Sequence, residues 1–224
     1  MKFPRRLLLI LFVSLMLISL RSLAADETNP AIVPTRRIEL FNGKDLTGWK
    51  FFMRGNANPT NTWSAADGLI KCTGQPTGYL RTEKDYRNYE LTAEWRFVKI
   101  GPKADNGGIL VHMRLPDKIW PLCIQCQGKH DAVGDLFLMS GAESKEHRGM
   151  DANTPLVKHG ESAEKSVGDW NICKLICSGN SVKVYVNGRL MNETTECTVT
   201  SGKIGFQAEG AAFEVRRVYI EPVK

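Results

Sequence analysis

From Asn88 to Phe97 the chain alternates apolar and polar residues with a period of two. Leu91, Ala93, Trp95 and Phe97 fall on one parity, and Glu90, Thr92, Glu94 and Arg96 on the other. Successive side chains of a strand point to opposite faces, so this spacing predicts a strand with one dry and one polar face. Strand-like runs also cover 38–41, 69–73, 89–97, 109–113, 122–127, 136–139, 172–177, 182–186, 204–208 and 213–220. Asn42-Gly43, Asp67-Gly68, Asn106-Gly107-Gly108, Gly179-Asn180 and Asn187-Gly188 punctuate them as turns. Many short strands with almost no helical period predict an all-β fold, a sandwich or barrel. Residues 180–188 alternate and end in Asn-Gly, the signature of a tight hairpin. The polar segment 140–170 is too long for a neutral connector, and loops of that length usually carry function or move.

The N-terminus changes the picture of charge and place. Lys2, Arg5 and Arg6 precede an apolar run from Leu7 to Leu20, and Ser22 and Ala24 supply the small residues of a signal-peptide cleavage site. Residues 1–24 are therefore expected to be a signal peptide, 25–36 a linker containing Pro30 and Pro34, and 37–224 one domain. The implied location is periplasmic or secreted, with no membrane contact after cleavage. Cleavage removes Lys2, Arg5, Arg6 and Arg21 and no acid, taking four charges from a formal +6 and leaving +2. No basic stripe with interleaved aromatics survives, which argues against a nucleic-acid partner. Nothing in the sequence sets the oligomeric state.

All six cysteines follow the expected cleavage point, where disulfides are permitted. Cys123-Ile-Gln-Cys126 has redox or zinc spacing, but no second cysteine pair of similar spacing and no His pair completes a metal site. On a strand these two cysteines face opposite sides, so buried thiols or one structural disulfide is the expected reading.

Carried through the other strands, the same parity rule assembles a candidate surface. Glu94, Arg96, His112, Arg114, Gln125, Gln127, Gln207 and Glu209 fall on the polar side of their strands and could pave one concave face. Amides, guanidinium groups and carboxylates match sugar hydroxyls as donors and acceptors, and Trp120 could stack on a sugar ring. Arg96, Arg114, Trp120, Gln125, Gln127 and Gln207 are thus the expected substrate-binding set. Asp131 and Asp135, beside Gly134, could bind Ca²⁺ at a sandwich rim, although a plain turn role is the simpler reading; no metal ligand is assigned. His130, His147 and His159 read as surface residues.

Several motifs occur in one order along the chain: Leu40-Phe-Asn-Gly-Lys-Asp-Leu-Thr-Gly-Trp49, Gly78-Tyr-Leu-Arg-Thr82, Glu94-Trp-Arg96, Asn106-Gly-Gly-Ile109, Trp170-Asn171, Gly202-Lys-Ile-Gly-Phe-Gln207 and Glu214-Val-Arg216. Together they resemble the 3-keto-disaccharide hydrolase family over about residues 38–222. The resemblance implies a concanavalin-like or jelly-roll β-sandwich of two antiparallel sheets, exported, acting on glycosides oxidised at C3. The family commonly has Asn-Ser-Gly where Asn106-Gly107-Gly108 stands, and Glu-x-Gln where this chain reads Gln125-Cys126-Gln127.

Ordinary glycoside hydrolysis needs two carboxylates, and Glu94 with Glu209 is the candidate pair. A 3-keto sugar offers elimination followed by hydration, which needs a base near C2 and donors at the developing enolate. His112 is the candidate base by intrinsic pKa, with Glu94 or Glu209 as alternatives, and Arg96 or Arg114 could hold the enolate oxygen. The rival readings are a carbohydrate-binding module without catalysis, which Gln125 makes plausible, and an extracellular adhesion or scaffold domain.

Overall fold

The computed structural model describes residues 30–99 and 106–224. The expected signal peptide and the first part of the linker lie outside them. Among the described residues no helix is long and apolar enough to cross a membrane.

Fourteen strands form among these residues: β1 (Ile38–Glu39), β2 (Trp49–Met53), β3 (Trp63–Ala66), β4 (Leu69–Cys72), β5 (Gly78–Thr82), β6 (Tyr89–Lys99), β7 (Asn106–Arg114), β8 (Leu122–Gln127), β9 (Leu136–Met139), β10 (Asn171–Ser178), β11 (Ser181–Val186), β12 (Arg189–Thr194), β13 (Lys203–Glu209) and β14 (Ala212–Pro222). An eight-stranded sheet runs β12-β11-β10-β6-β14-β4-β3, with β1 also on β14, and a six-stranded sheet runs β2-β5-β13-β7-β8-β9. Every strand pair within the two sheets is antiparallel. The all-β sandwich is therefore as expected. Asn187 and Gly188 both take positive φ between β11 and β12, the geometry of the predicted Asn-Gly hairpin.

The apolar parity of each strand makes the core. Leu91, Ala93, Trp95 and Phe97 of β6 join Leu80, Ile109, Val111, Ile124, Ile204 and Phe206 of the other sheet in one buried cluster. Trp49 and Phe206 bring their ring centroids to 5.9 Å, as do Trp63 and Phe213. All six cysteines are buried and free. Cys126 faces the core while Cys123 belongs to a small apolar cluster on the other face of β8, so the pair cannot share a ligand. Burial pushes the Cys72 and Cys177 thiols up to about 12.

Strand β7 breaks its parity. His112 takes φ +56, and the β13–β7 register jumps between Lys203 opposite Met113 and Gly205 opposite Leu110. This bulge turns His112 inward and places Met113 with Tyr79, Leu110 and Cys123 outside. The segment 140–170, expected to be functional or mobile, is fastened at several points. Asn192 donates to the Leu156 carbonyl at 2.7 Å, and Glu146 accepts from the Thr195 backbone N–H at 2.7 Å.

Candidate functional site

The outer face of the six-stranded sheet carries three buried glutamines in contact. Gln125 Nε2 donates to Gln127 Oε1 and to Gln207 Oε1, each at 2.9 Å. Register explains the convergence. Gly108 stands between Gln207 on β13 and Gln127 on β8, and Gln125 lies diagonally across, opposite Leu110. A Cβ on Gly108 would come within 2.9 Å of Gln125 Nε2 and 2.8 Å of the Cys126 carbonyl. Glycine at 108 therefore opens the floor over which Gln125 reaches its partners. Both Oε1 atoms are engaged inside the trio, so the NH₂ groups of Gln127 and Gln207 are the donors that the trio itself does not use.

Two carboxylates border the trio. Glu209 lies on the same face as Gln207, two residues along β13, and Asn106 Nδ2 donates to its Oε2 at 2.6 Å. Burial raises its pKa, opposed only in part by that hydrogen bond and by the charge of Arg54. Beyond Tyr79, which pairs with Gln207 in register, Asp117 comes down from the β7–β8 connection. Arg81 grips both its oxygens, with Nε at 2.8 Å and Nη2 at 2.6 Å, and the Tyr79 hydroxyl donates at 2.9 Å. Burial alone would raise Asp117, but the bonds from Arg81 and Tyr79 outweigh it and lower its pKa. Burial and the Asp117 charge together keep Tyr79 a protonated phenol. The two carboxylates are thus shifted in opposite directions, Glu209 upward by burial and Asp117 downward by its hydrogen bonds.

The predicted set divides. Gln125, Gln127, Gln207 and Glu209 share this face. Glu94 and Arg96 do not: β6 belongs to the eight-stranded sheet, so their parity points out of the opposite side of the sandwich. There Glu94 is held by Arg216 at 2.7 Å and Arg217 at 3.0 Å, and Arg96 pairs with Glu214 at 2.7 Å. His112 is 1% exposed, with Nδ1 at 3.1 Å from the Val199 carbonyl and its ring edge-on to Tyr89. Burial, with the nearby Arg114 charge, pulls its pKa down to about 4 against the Val199 bond. An imidazole sealed in the core cannot reach a substrate on either face. Arg114 sits exposed past the bulge and donates to Ser201 Oγ at 3.1 Å. Trp120 is half-buried in the β7–β8 connection, its carbonyl accepting from Ser140 Oγ at 2.6 Å. Asp135 is buried and accepts from the Lys158 backbone N–H at 2.8 Å, which commits it to the turn.

Tyr79, Arg81, Asp117 and Asn106 were missed as site residues. Gly78-Tyr-Leu-Arg-Thr82 does alternate, and reading it as a strand would have put Tyr79 and Arg81 on one face.

Residues 36–221 match the 3-keto-α-glucoside-1,2-lyase-like domain. The chain belongs to this family. No curated protein matches it. Among solved structures it is similar to a candidate glycosyl hydrolase of Parabacteroides distasonis ATCC 8503, with TM-score 0.63 and 22% identity over 84% of this chain and 94% of that one. It is also similar to the carbohydrate-binding module CBM66 of Bacillus subtilis, with TM-score 0.55 and 16% identity over 78% of this chain and 96% of that one. The β-glucanase of Bacillus licheniformis gives TM-score 0.50 and 16% identity over 83% and 97%. These likenesses place the fold among jelly-roll sandwiches of the concanavalin type.

Proposed function

We propose that this family member cleaves 3-keto-glycosides on the outer face of the six-stranded sheet, by elimination across C1 and C2 followed by hydration. The observation that carries the reading is Glu209, a carboxylate with a raised pKa beside three glutamines on one face. A C3 ketone acidifies the C2 hydrogen. Glu209 takes that proton, the electron pair forms the C2–C3 enolate, and the C1 oxygen substituent then leaves as the C1–C2 double bond forms and the ketone is restored. Water adds back across that bond. The Arg81 N–H groups not spent on Asp117 are the donors offered to the developing enolate, and the glutamine NH₂ groups hold sugar hydroxyls. Glucosides oxidised at C3 are the substrate class, and the family's description supports that choice. Assay of the purified protein on a chromogenic 3-keto-glucoside is expected to release the chromophore, with no release from the unoxidised glucoside.

A second reading, a carbohydrate-binding module without catalysis, is favoured by Gln125, where relatives commonly carry Glu. Tight retention of the 3-keto-glucoside without turnover would select it.

The protein is proposed to act after export to the periplasm or beyond, supported by the basic, apolar and small-residue order of residues 1–24. Intact-mass measurement of exported protein is expected to show a chain beginning at Ala25; a mass retaining residues 1–24 would replace the cleaved signal with an anchor.

A further inference from the structure

A second group of side chains lies outside the glutamine face, between the loop that follows β8 and the segment 140–170. We propose that His130, Asp131 and Glu164 bind a divalent transition-metal ion of the zinc type at the rim of the sandwich. One ring nitrogen of His130 and one oxygen from each carboxylate all lie within 4.8 Å of one another. His130 Nδ1 is 3.4 Å from Glu164 Oε1, and Nε2 is 3.8 Å from Asp131 Oδ1. Bonds of about 2.0–2.2 Å from zinc to nitrogen and oxygen, set at tetrahedral angles, separate ligand atoms by ~3.3–3.5 Å. The His130–Glu164 pair already stands at that spacing.

Glu164 gives the stronger reason. Its side chain is 4% exposed, yet among the described residues no Lys or Arg pairs with it. One of its oxygens accepts from Ser162 Oγ at 2.7 Å and the other faces His130. A buried carboxylate without a cation is costly unless a metal or a protonated partner completes it. Asp131, 80% exposed, leaves the group open to solvent and free to swing toward an ion. The ring of His130 is fixed edge-on against Phe97 at 5.9 Å.

The ligand set selects the ion class. One imidazole nitrogen with two carboxylates suits zinc-like ions, whereas calcium takes six to eight oxygens. Asp135, the other acid near Gly134 that could have served calcium, is engaged with Lys158. The location gives the ion work to do. Gln127 exchanges backbone hydrogen bonds with Asp135 and Gly134, so the loop is rooted on the glutamine trio. An ion joining His130 and Asp131 to Glu164 would clamp the wall of that face to the 140–170 segment.

The test uses tag-free full-length mature protein, stripped with a chelator and titrated with Zn²⁺ and separately with Ca²⁺ by calorimetry. Bound metal is counted after desalting. One equivalent of Zn²⁺ is expected, weakened at least tenfold in His130→Ala and in Glu164→Gln, together with a Zn²⁺-dependent rise in melting temperature that both variants lose. Glu164→Gln changes a buried group and can disturb folding, so Asp131→Asn at the exposed position is the companion. It should weaken Zn²⁺ several-fold while melting like the parent without metal. Absence of binding, Zn²⁺ binding unchanged in His130→Ala, or a preference for Ca²⁺ would each overturn the proposal.

Discussion

The two outer faces of the sandwich read alike in the sequence, as stripes of polar residues opposite apolar ones, yet they are built for opposite ends. On the eight-stranded sheet the charges around β6 meet their complements: Glu94 with Arg216 and Arg217, Arg96 with Glu214, Glu90 with Lys174. Arg96 and Arg216 also lie over the Trp170 ring, at 4.7 and 4.1 Å. On the six-stranded sheet the centre is neutral and buried, three amides bonded to one another, bordered by carboxylates shifted in opposite directions. A face that satisfies itself gives stability and solubility. One that leaves donors and a protonatable acid at its surface can take a ligand.

Replacing one glutamate on each face is the sharpest way to break this comparison. Glu209→Gln is expected to lower kcat on a 3-keto-glucoside a hundredfold or more, about 2.7 kcal/mol, because the amide cannot accept the C2 proton. Glu94→Gln should leave kcat within about threefold and cost only about 1 kcal/mol of folding stability, since its arginine partners lie toward solvent. Urea unfolding with steady-state rates on both variants decides it. Equal losses of activity would dissolve the distinction between the faces.

His112, on neither face, sharpens the comparison through pH. Its folded pKa of about 4 lies below the ordinary 6.5, so the unfolded chain binds the proton more readily. The associated stability is complete above pH 6.5 and is lost as pH falls toward 4, about 3 kcal/mol in all. Asparagine tolerates the positive φ at this position, so His112→Asn keeps the bulge while removing the titration. Unfolding free energies at pH 7.5 and 4.5 are expected to fall further in the parent than in the variant. Identical pH slopes would mean that His112 charges in place, and would reopen it as a base.

Particular residues show why some of this was legible. Period two and Asx-Gly turns set most strands, and the trio followed because Gln125, Gln127 and Gln207 lie on strands of one sheet. Parity tells which face of its own strand a residue occupies but not which sheet the strand joins, and so Glu94 and Arg96 were gathered with residues on the far side. It also fails at a bulge, where one residue with positive φ turned His112 inward without any sign in the sequence. Asp117 lies in a connection with no period, and only the fold brings it to Arg81 on β5. Glu164, inside the long polar segment, had no sequence signal linking it to His130.

The smallest expected effect is at Gln125, the centre of the trio. Glutamate there removes two N–H donors, and a carboxylate would then face two amide oxygens at 2.9 Å. Turning over the Gln127 and Gln207 side-chain amides cures the conflict, since each can present NH₂ in place of Oε1. The turned amides hold the new charge but give up the donors they offered to a sugar. If Glu209 is the base, Gln125→Glu should therefore change kcat by less than about tenfold, roughly 1.4 kcal/mol, and raise KM modestly. If catalysis in this family rests on the carboxylate that Gln125 replaces, the parent binds the 3-keto-glucoside without cleaving it and Gln125→Glu begins to turn it over. Rates and binding for the two proteins, measured side by side, separate a hydrolytic face centred on Glu209 from a binding face that has lost its acid.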